Sequence, residues 1–176
     1  ADGIVLDSTQ PQDPRVRYLL ERNFPFVTFG RTELVSEHPY VDADNEQAAF
    51  VATQYLAERG HQRIALISPP LAFTYALQRR RGYQAALLQA GLVADPALLC
   101  EGGQDARVAR ALARQLAALP QPPTGYVCAN EVATLGVMAG LRDAGCRIGE
   151  DVELVSRDGA HISDYLYPRP ATLFLD

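Results

Sequence analysis

The chain has 176 residues, 48% of them hydrophobic and 21% charged, an ordinary globular composition that argues against disorder and allows one sizeable core or two small lobes. Its 21 acidic against 16 Lys and Arg residues leave a formal charge of −5, which argues against this segment as a surface that grips phosphate backbones, since that needs clustered cations. Cys100, Cys128 and Cys146 are an odd set without a CxxC pair, so free buried thiols in a reducing compartment are expected, with no metal, no cofactor and no disulfide.

In chain order, short β-rich runs alternate with amphipathic helical stretches, the signature of βαβ units and a parallel sheet covered on both faces. Ile4-Val5-Leu6 reads as a strand. Asp13 followed by Pro14 reads as an N-cap and first turn of a helix running to about Asn23. Phe26 to Phe29 is the next strand. Asp44, with Gln47 three residues on, is a candidate capping box, and Ala48, Ala49, Ala52, Tyr55 and Leu56 fall at helical spacing before Gly60 closes the helix. Ile64 to Ile67 reads as a buried strand. Phe73 to about Ala90 reads as the longest helix, with Tyr83, Leu87 and Leu88 on one side and Gly91 as its stop. Leu98 to Cys100 is a short strand, Ala106 to Leu119 a helix, and Pro120 to Pro123 a rigid connector. Tyr126 to Ala129 resumes the sheet. Val132 to Ala144 is an Ala- and Gly-rich helix whose small residues should permit close approach to the sheet, with Gly145 as its stop. Leu154 to Ser156 and Ala171 to Leu175 are the last strands. No internal repeat or low-complexity tract appears, no apolar run approaches a bilayer span, and ADGIVLD reads as neither a signal nor a transit peptide. The expected setting is soluble and cytoplasmic, without membrane contact.

Four segments in fixed order carry more than secondary structure: YVDADNEQAA from Tyr40, GHQRIALIS from Gly60, CANEVATLGVMAGL from Cys128 and DVELVSRDG from Asp151. Together they resemble the effector-binding core of the lactose-repressor (LacI/GalR) family of transcription regulators. The likeness runs over nearly the whole chain, from ADGIVL through PRPATLF. It implies an α/β fold of the type I periplasmic-binding-protein kind, with two Rossmann-like lobes of parallel sheet flanked by helices. By that resemblance residues 1–41 are part of the amino-terminal lobe, 42–170 the carboxy-terminal lobe, and 171–176 a crossover strand returning to the first. It further implies a homodimer that binds operator DNA through a helix-turn-helix headpiece absent from this chain, under control of a small effector held between the lobes.

A cleft for a small polar ligand needs a few well-placed groups: a guanidinium fork, an amide that both donates and accepts, a carboxylate, and an aromatic wall. Arg79, three residues before Gly82 in FTYALQRRRGYQAAL, matches the family arginine that reaches the effector; by itself it would be one of three arginines on a solvated helix face. Asn130 follows a strand and precedes a helix, which suits both a ligand at a strand carboxyl end and a helix N-cap. The family usually has Asn-Asp here, whereas this chain has Asn130-Glu131. Asp158 in LVSRDG matches a family aspartate that accepts hydrogen bonds from the effector; with Gly159 it also makes an ordinary Asp-Gly turn. Phe73, Thr74 and Tyr75 stand where relatives vary with effector and read as specificity contacts, or as aromatic anchors of a helix start. Family members often have a ligand-facing Asp at the position of Gly30. Here Arg31 follows it, and a cation there would favour an acidic or phosphorylated ligand, though a surface arginine would look the same. Gln104 completes the candidate set where several relatives place an aromatic lid. His38, His61 and His161 read as structural.

No GxSxG elbow, HExxH or phosphate-binding glycine loop is present, so no enzyme chemistry is expected. A saccharide or sugar-acid effector is expected rather than a nucleobase, because charged and amide groups with an aromatic neighbour suit vicinal hydroxyls. The alternative is a secreted solute-binding protein of the same two-lobed architecture, which the unpaired cysteines disfavour.

Overall fold

The computed structural model describes residues 2–174. Its elements run β1 (Ile4–Leu6), α1 (Pro14–Glu21), β2 (Phe26–Phe29), β3 (Tyr40–Val41), α2 (Asn45–Glu58), β4 (Ile64–Ser68), α3 (Thr74–Gln89), β5 (Leu99–Glu101), α4 (Ala106–Ala117), β6 (Gly125–Cys128), α5 (Glu131–Asp143), β7 (Glu153–Arg157) and β8 (Ala171–Leu173). Two parallel sheets result, one of order β1-β2-β3 and one of order β5-β4-β6-β7-β8.

The second sheet is buried on both faces, so its strands read as continuous apolar runs rather than as an alternation. The period of two still decides which layer each side chain enters. Ala65, Ile67, Tyr126, Cys128 and Leu154 pack with Ala109, Ala113 and Leu116 of α4 and Val137, Met138 and Leu141 of α5. Ile64, Leu66, Val127 and Val155 pack with Ala52 and Leu56 of α2 and Tyr83 and Leu87 of α3. The helix that follows β4 therefore lies on one face, and the helix that follows the neighbouring β6 lies on the other. Adjacent strands whose connections part in this way open a crevice at their carboxyl ends, the place where open α/β sheets bind ligands.

Helix starts follow local chemistry. Asp13, Asp44, Asp105 and Asn130 each accept a backbone N–H of the first turn. Only half of the expected capping box forms: Asp44 Oδ1 accepts the Gln47 N–H at 2.9 Å, with no return bond from the Gln47 side chain among the described residues. Helix α3 is the exception, because its N-cap, Phe73, has no side-chain acceptor. Its first N–H, that of Thr74, donates instead to Thr9 O at 2.9 Å, which ties the longest helix to the loop after β1.

Several details differ from the sequence reading. Strand β3 was not expected; its two residues have no apolar alternation to announce them, and they are ordered by pairing with Thr28 and Phe29. Leu88 is 80% exposed, not part of the buried face with Tyr83 and Leu87. The small residues of α5 admit another helix and not the sheet: a Cβ on Gly136 or Gly140 would lie 2.4 Å from Ala106 O or 2.3 Å from Arg110 O, both in α4. Ala171–Leu173, the start of the segment expected to cross back, pairs with β7 at the edge of the second sheet. Leu175 lies outside the described residues.

Candidate functional site

The carboxyl ends of both sheets face one cavity of about 230 Å³, somewhat below the roughly 300–1,000 Å³ of drug-sized ligand sites and suited to a small polar molecule. Asp7 and Ser8 follow β1, Phe29 ends β2 with Gly30 after it, and Asp42 follows β3. Pro69 follows β4, Gln104 follows β5, Asn130 follows β6, and Arg157 ends β7, while Tyr75 and Arg79 reach in from the first turns of α3. A single cavity thus receives the ends of seven strands from two sheets. Gly30 has φ +102°, and a Cβ there would lie 2.9 Å from Thr9 Oγ1, so a ligand-facing Asp would be strained in this loop as it stands.

Arg79 is only 7% exposed. Its Nε and Nη2 both donate to Asn45 Oδ1, at 3.1 and 2.8 Å. Asn45 is in turn held by its Nδ2, which donates to Ala43 O at 3.0 Å, Asp42 Oδ1 at 3.2 Å and Gln78 Oε1 at 3.2 Å. The Tyr75 ring lies 5.0 Å from the Arg79 guanidinium carbon, a cation–π arrangement. Burial, with the nearby charge of Arg157 second, pushes the Arg79 pKa down to about 10. Arg79 therefore stays charged near neutrality, at a cost on the order of 3 kcal/mol by the usual conversion. Burial also raises the Tyr75 hydroxyl above its ordinary range, leaving it a neutral hydrogen-bonding group; it accepts from Gln104 Nε2 at 3.1 Å.

Asn130 serves as the N-cap, its Oδ1 accepting the Ala133 N–H at 2.8 Å. Its Nδ2 has no partner among the described residues, and Asn130 lines the cavity. Four of the eight candidates, Tyr75, Arg79, Gln104 and Asn130, therefore meet in one place. The other four do not line it. Asp158 is fully buried, with Oδ1 accepting from Ala160 N at 3.0 Å and Ile162 N at 3.2 Å and Oδ2 accepting from Ser163 N at 2.8 Å. Burial alone would raise its pKa, but these donors hold it below the ordinary carboxylate range, so the carboxylate closes its own loop. Arg31 turns outward to Asp42, Nε to Oδ2 at 2.8 Å. Thr74 is buried at the helix start, and Phe73 stacks on the Tyr75 ring with centroids 5.4 Å apart. The sequence reading missed Asn45, although it lies within the quoted YVDADNEQAA, and Arg157, although it lies within LVSRDG. Asn45 acts through a contact with Arg79 that no spacing rule encodes.

Burial pushes the Cys128 thiol up to about 12, which suppresses thiolate chemistry, and no cluster of three or more His, Cys, Asp or Glu that could hold a metal exists among the described residues. No helix among them is long and apolar enough to cross a membrane.

Comparison with known proteins agrees with this geometry. The periplasmic binding protein-like domain matches residues 53–174. The HTH-type transcriptional regulator AglR of Rhizobium meliloti is 35% identical over 159 residues, 89% of this chain and 44% of that protein. A LacI-family regulatory protein from Chloroflexus aggregans superposes with a TM-score of 0.90 at 33% identity, covering 99% of this chain and 63% of that one. The transcriptional regulator CelR in complex with cellobiose superposes with a TM-score of 0.88 at 33% identity, covering 98% and 53%. The chain spans about half the length of the curated relatives it matches.

Proposed function

Since the chain belongs to the periplasmic binding protein-like family and is the effector-binding part of a LacI-family regulator, we propose that its cavity senses a small polar molecule that controls operator binding. The observation that carries this reading is the convergence of strand ends from two sheets on one cavity around a buried, charged Arg79. A guanidinium kept charged in a nearly dry site is destabilising by itself, and such a group is retained where a ligand needs its fork of donors. A molecule touching both walls favours the arrangement in which they are close, and shifts the protein only by its differential affinity for the two arrangements.

In this reading residues 1–41 and 42–170 are the two lobes, the regulator works as a cytoplasmic homodimer, and DNA is contacted by a headpiece outside these 176 residues, in keeping with the charge of −5. The matched relatives are regulators and do not support the secreted solute-binding alternative. That CelR is seen with cellobiose supports a saccharide or sugar derivative as the ligand class.

The test is Arg79→Ala in the intact regulator. It leaves Asn45 Oδ1 unpaired, costing about 1–3 kcal/mol, but removes the buried charge, so the fold is expected to persist. Saccharides that raise the melting temperature of the wild type should no longer do so, and operator binding should cease to respond to them. A variant that keeps its ligand-induced thermal shift would overturn the assignment.

A further inference from the structure

The cavity holds a second cation that the family reading does not require. Arg157 ends β7 and lines the cavity together with Arg79. Its Nε is buried without a hydrogen-bond partner, and a buried donor left unpaired is costly. Among the described residues neither guanidinium has a carboxylate within ion-pair distance, and the acidic groups near them are engaged elsewhere. Asp42 pairs with Arg31 and accepts from Asn45, Glu131 Oε1 accepts the Gly159 N–H at 2.6 Å, and Asp158 is closed on its loop. Asp7, exposed on the opposite wall, accepts the N–H of Ser8. The first turns of α2, α3, α4 and α5 all follow strand ends on this side, so their positive dipole ends add to the same field.

Resting on the reading of this cavity as the effector site, we propose that Arg157 forms with Arg79 a guanidinium pair that takes an anionic group, a carboxylate or a phosphate, on the effector. Two forks of donors on one wall bind such a group through charge-assisted, bidentate hydrogen bonds, whereas a neutral hydroxyl compensates neither charge. Burial first, and the like charge of Arg157 second, push the Arg79 pKa down, the direction that a neighbouring cation gives. The acidic-ligand preference that the sequence suggested through Arg31 thus belongs to a different arginine, one on the cavity wall.

The experiment titrates the intact regulator with inorganic phosphate, glucose, glucuronate and glucose 6-phosphate at constant ionic strength, following melting temperature and calorimetric affinity in wild type, Arg157→Gln, Arg157→Lys and Arg79→Ala. Phosphate is expected to stabilise the wild type saturably, and Arg157→Gln to weaken it by about tenfold or more, the equivalent of about 1.4 kcal/mol. Lys, a point charge without the fork, should fall between. The stronger of glucuronate and glucose 6-phosphate identifies carboxylate or phosphate as the natural group, and either should exceed glucose. Without ligand, Arg157→Gln should melt no lower than wild type, because it removes a like charge beside Arg79. The proposal fails if phosphate gives no saturable shift, if Arg157→Gln keeps wild-type phosphate affinity, or if glucose binds as well as its anionic counterparts. Glucuronate or glucose 6-phosphate binding that survives Arg157→Gln at wild-type affinity but is lost in Arg79→Ala would sink the anion site and leave the effector cavity standing. Glucuronate or glucose 6-phosphate binding unchanged in both variants would sink the two together.

Discussion

At the scale of single residues, the decisive polar groups are those whose environment opposes their charge or overcompensates it. Arg79 is the first kind and Asp13 the second. Burial alone would raise the Asp13 pKa. The Arg15 side chain and the N–H groups of Gln10 and Arg15 outweigh it and hold the carboxyl at about 2, against an ordinary value of about 3.9. A carboxylate depressed in the folded state contributes stability that is fully present above its unfolded value and is lost as pH falls through the folded one. Asp13→Asn should therefore cost about 1–2 kcal/mol at pH 7 in denaturant unfolding. The difference from wild type should shrink between about pH 4 and pH 2, and a constant difference across that range would rule out the charge as its source. The Asp13 cap was legible from Asp-Pro alone. The Asn45 clamp on Arg79 was not, because its partners stand 34 residues apart.

At the scale of elements, helix pairs fix the walls of the site. Gly82 stands on α3 where a Cβ would lie 1.9 Å from Glu46 O of α2, one turn from Arg79 and beside the Asn45 that holds it. Gly82→Ala gains about 1 kcal/mol of helix propensity but must part the helices. The expected result is a net loss of about 1–3 kcal/mol together with weaker effector binding, since parting α3 from α2 lengthens the Arg79–Asn45 bonds. Gly136→Val, on the opposite side of the sheet against α4, should destabilise at least as much while leaving the affinity of the folded protein unchanged. Equal effects of the two on affinity would deny α3 its positioning role. The sequence showed these glycines but not what they face, which depends on helix neighbours brought together only by the sheet.

At the scale of the whole molecule, α3 joins the two sheets in addition to the chain that runs from β3 into α2. Its Thr74 N–H binds Thr9 O at 2.9 Å, and Arg81 reaches Glu33 at 2.6 Å. The latter pair is exposed and contributes under about 1 kcal/mol, so the two walls are not locked together by it. An effector bridging them should slow amide hydrogen exchange at Ser8 and Gly30 on one wall and at Asn130 and Arg157 on the other. Protection confined to one wall would mean that the ligand does not join them.

The sequence alone determined the alternation of strands and helices, most of their starts and stops, and the family likeness, because these rest on caps, periodicity and turn residues that act within a few positions. The order β5-β4-β6-β7-β8, the brief pairing that makes β3, and the choice of which candidates face the cavity were decided by tertiary structure. Tyr75, Arg79, Gln104 and Asn130 converge because separate βα turns end at one edge of one sheet, while Asp158, also at a strand end, is drawn inward by three backbone donors of its own loop. Residue type and spacing set what each side chain can do. Which of its possible partners it meets depends on contacts between segments distant in the chain, and these exist only once the sheet has formed.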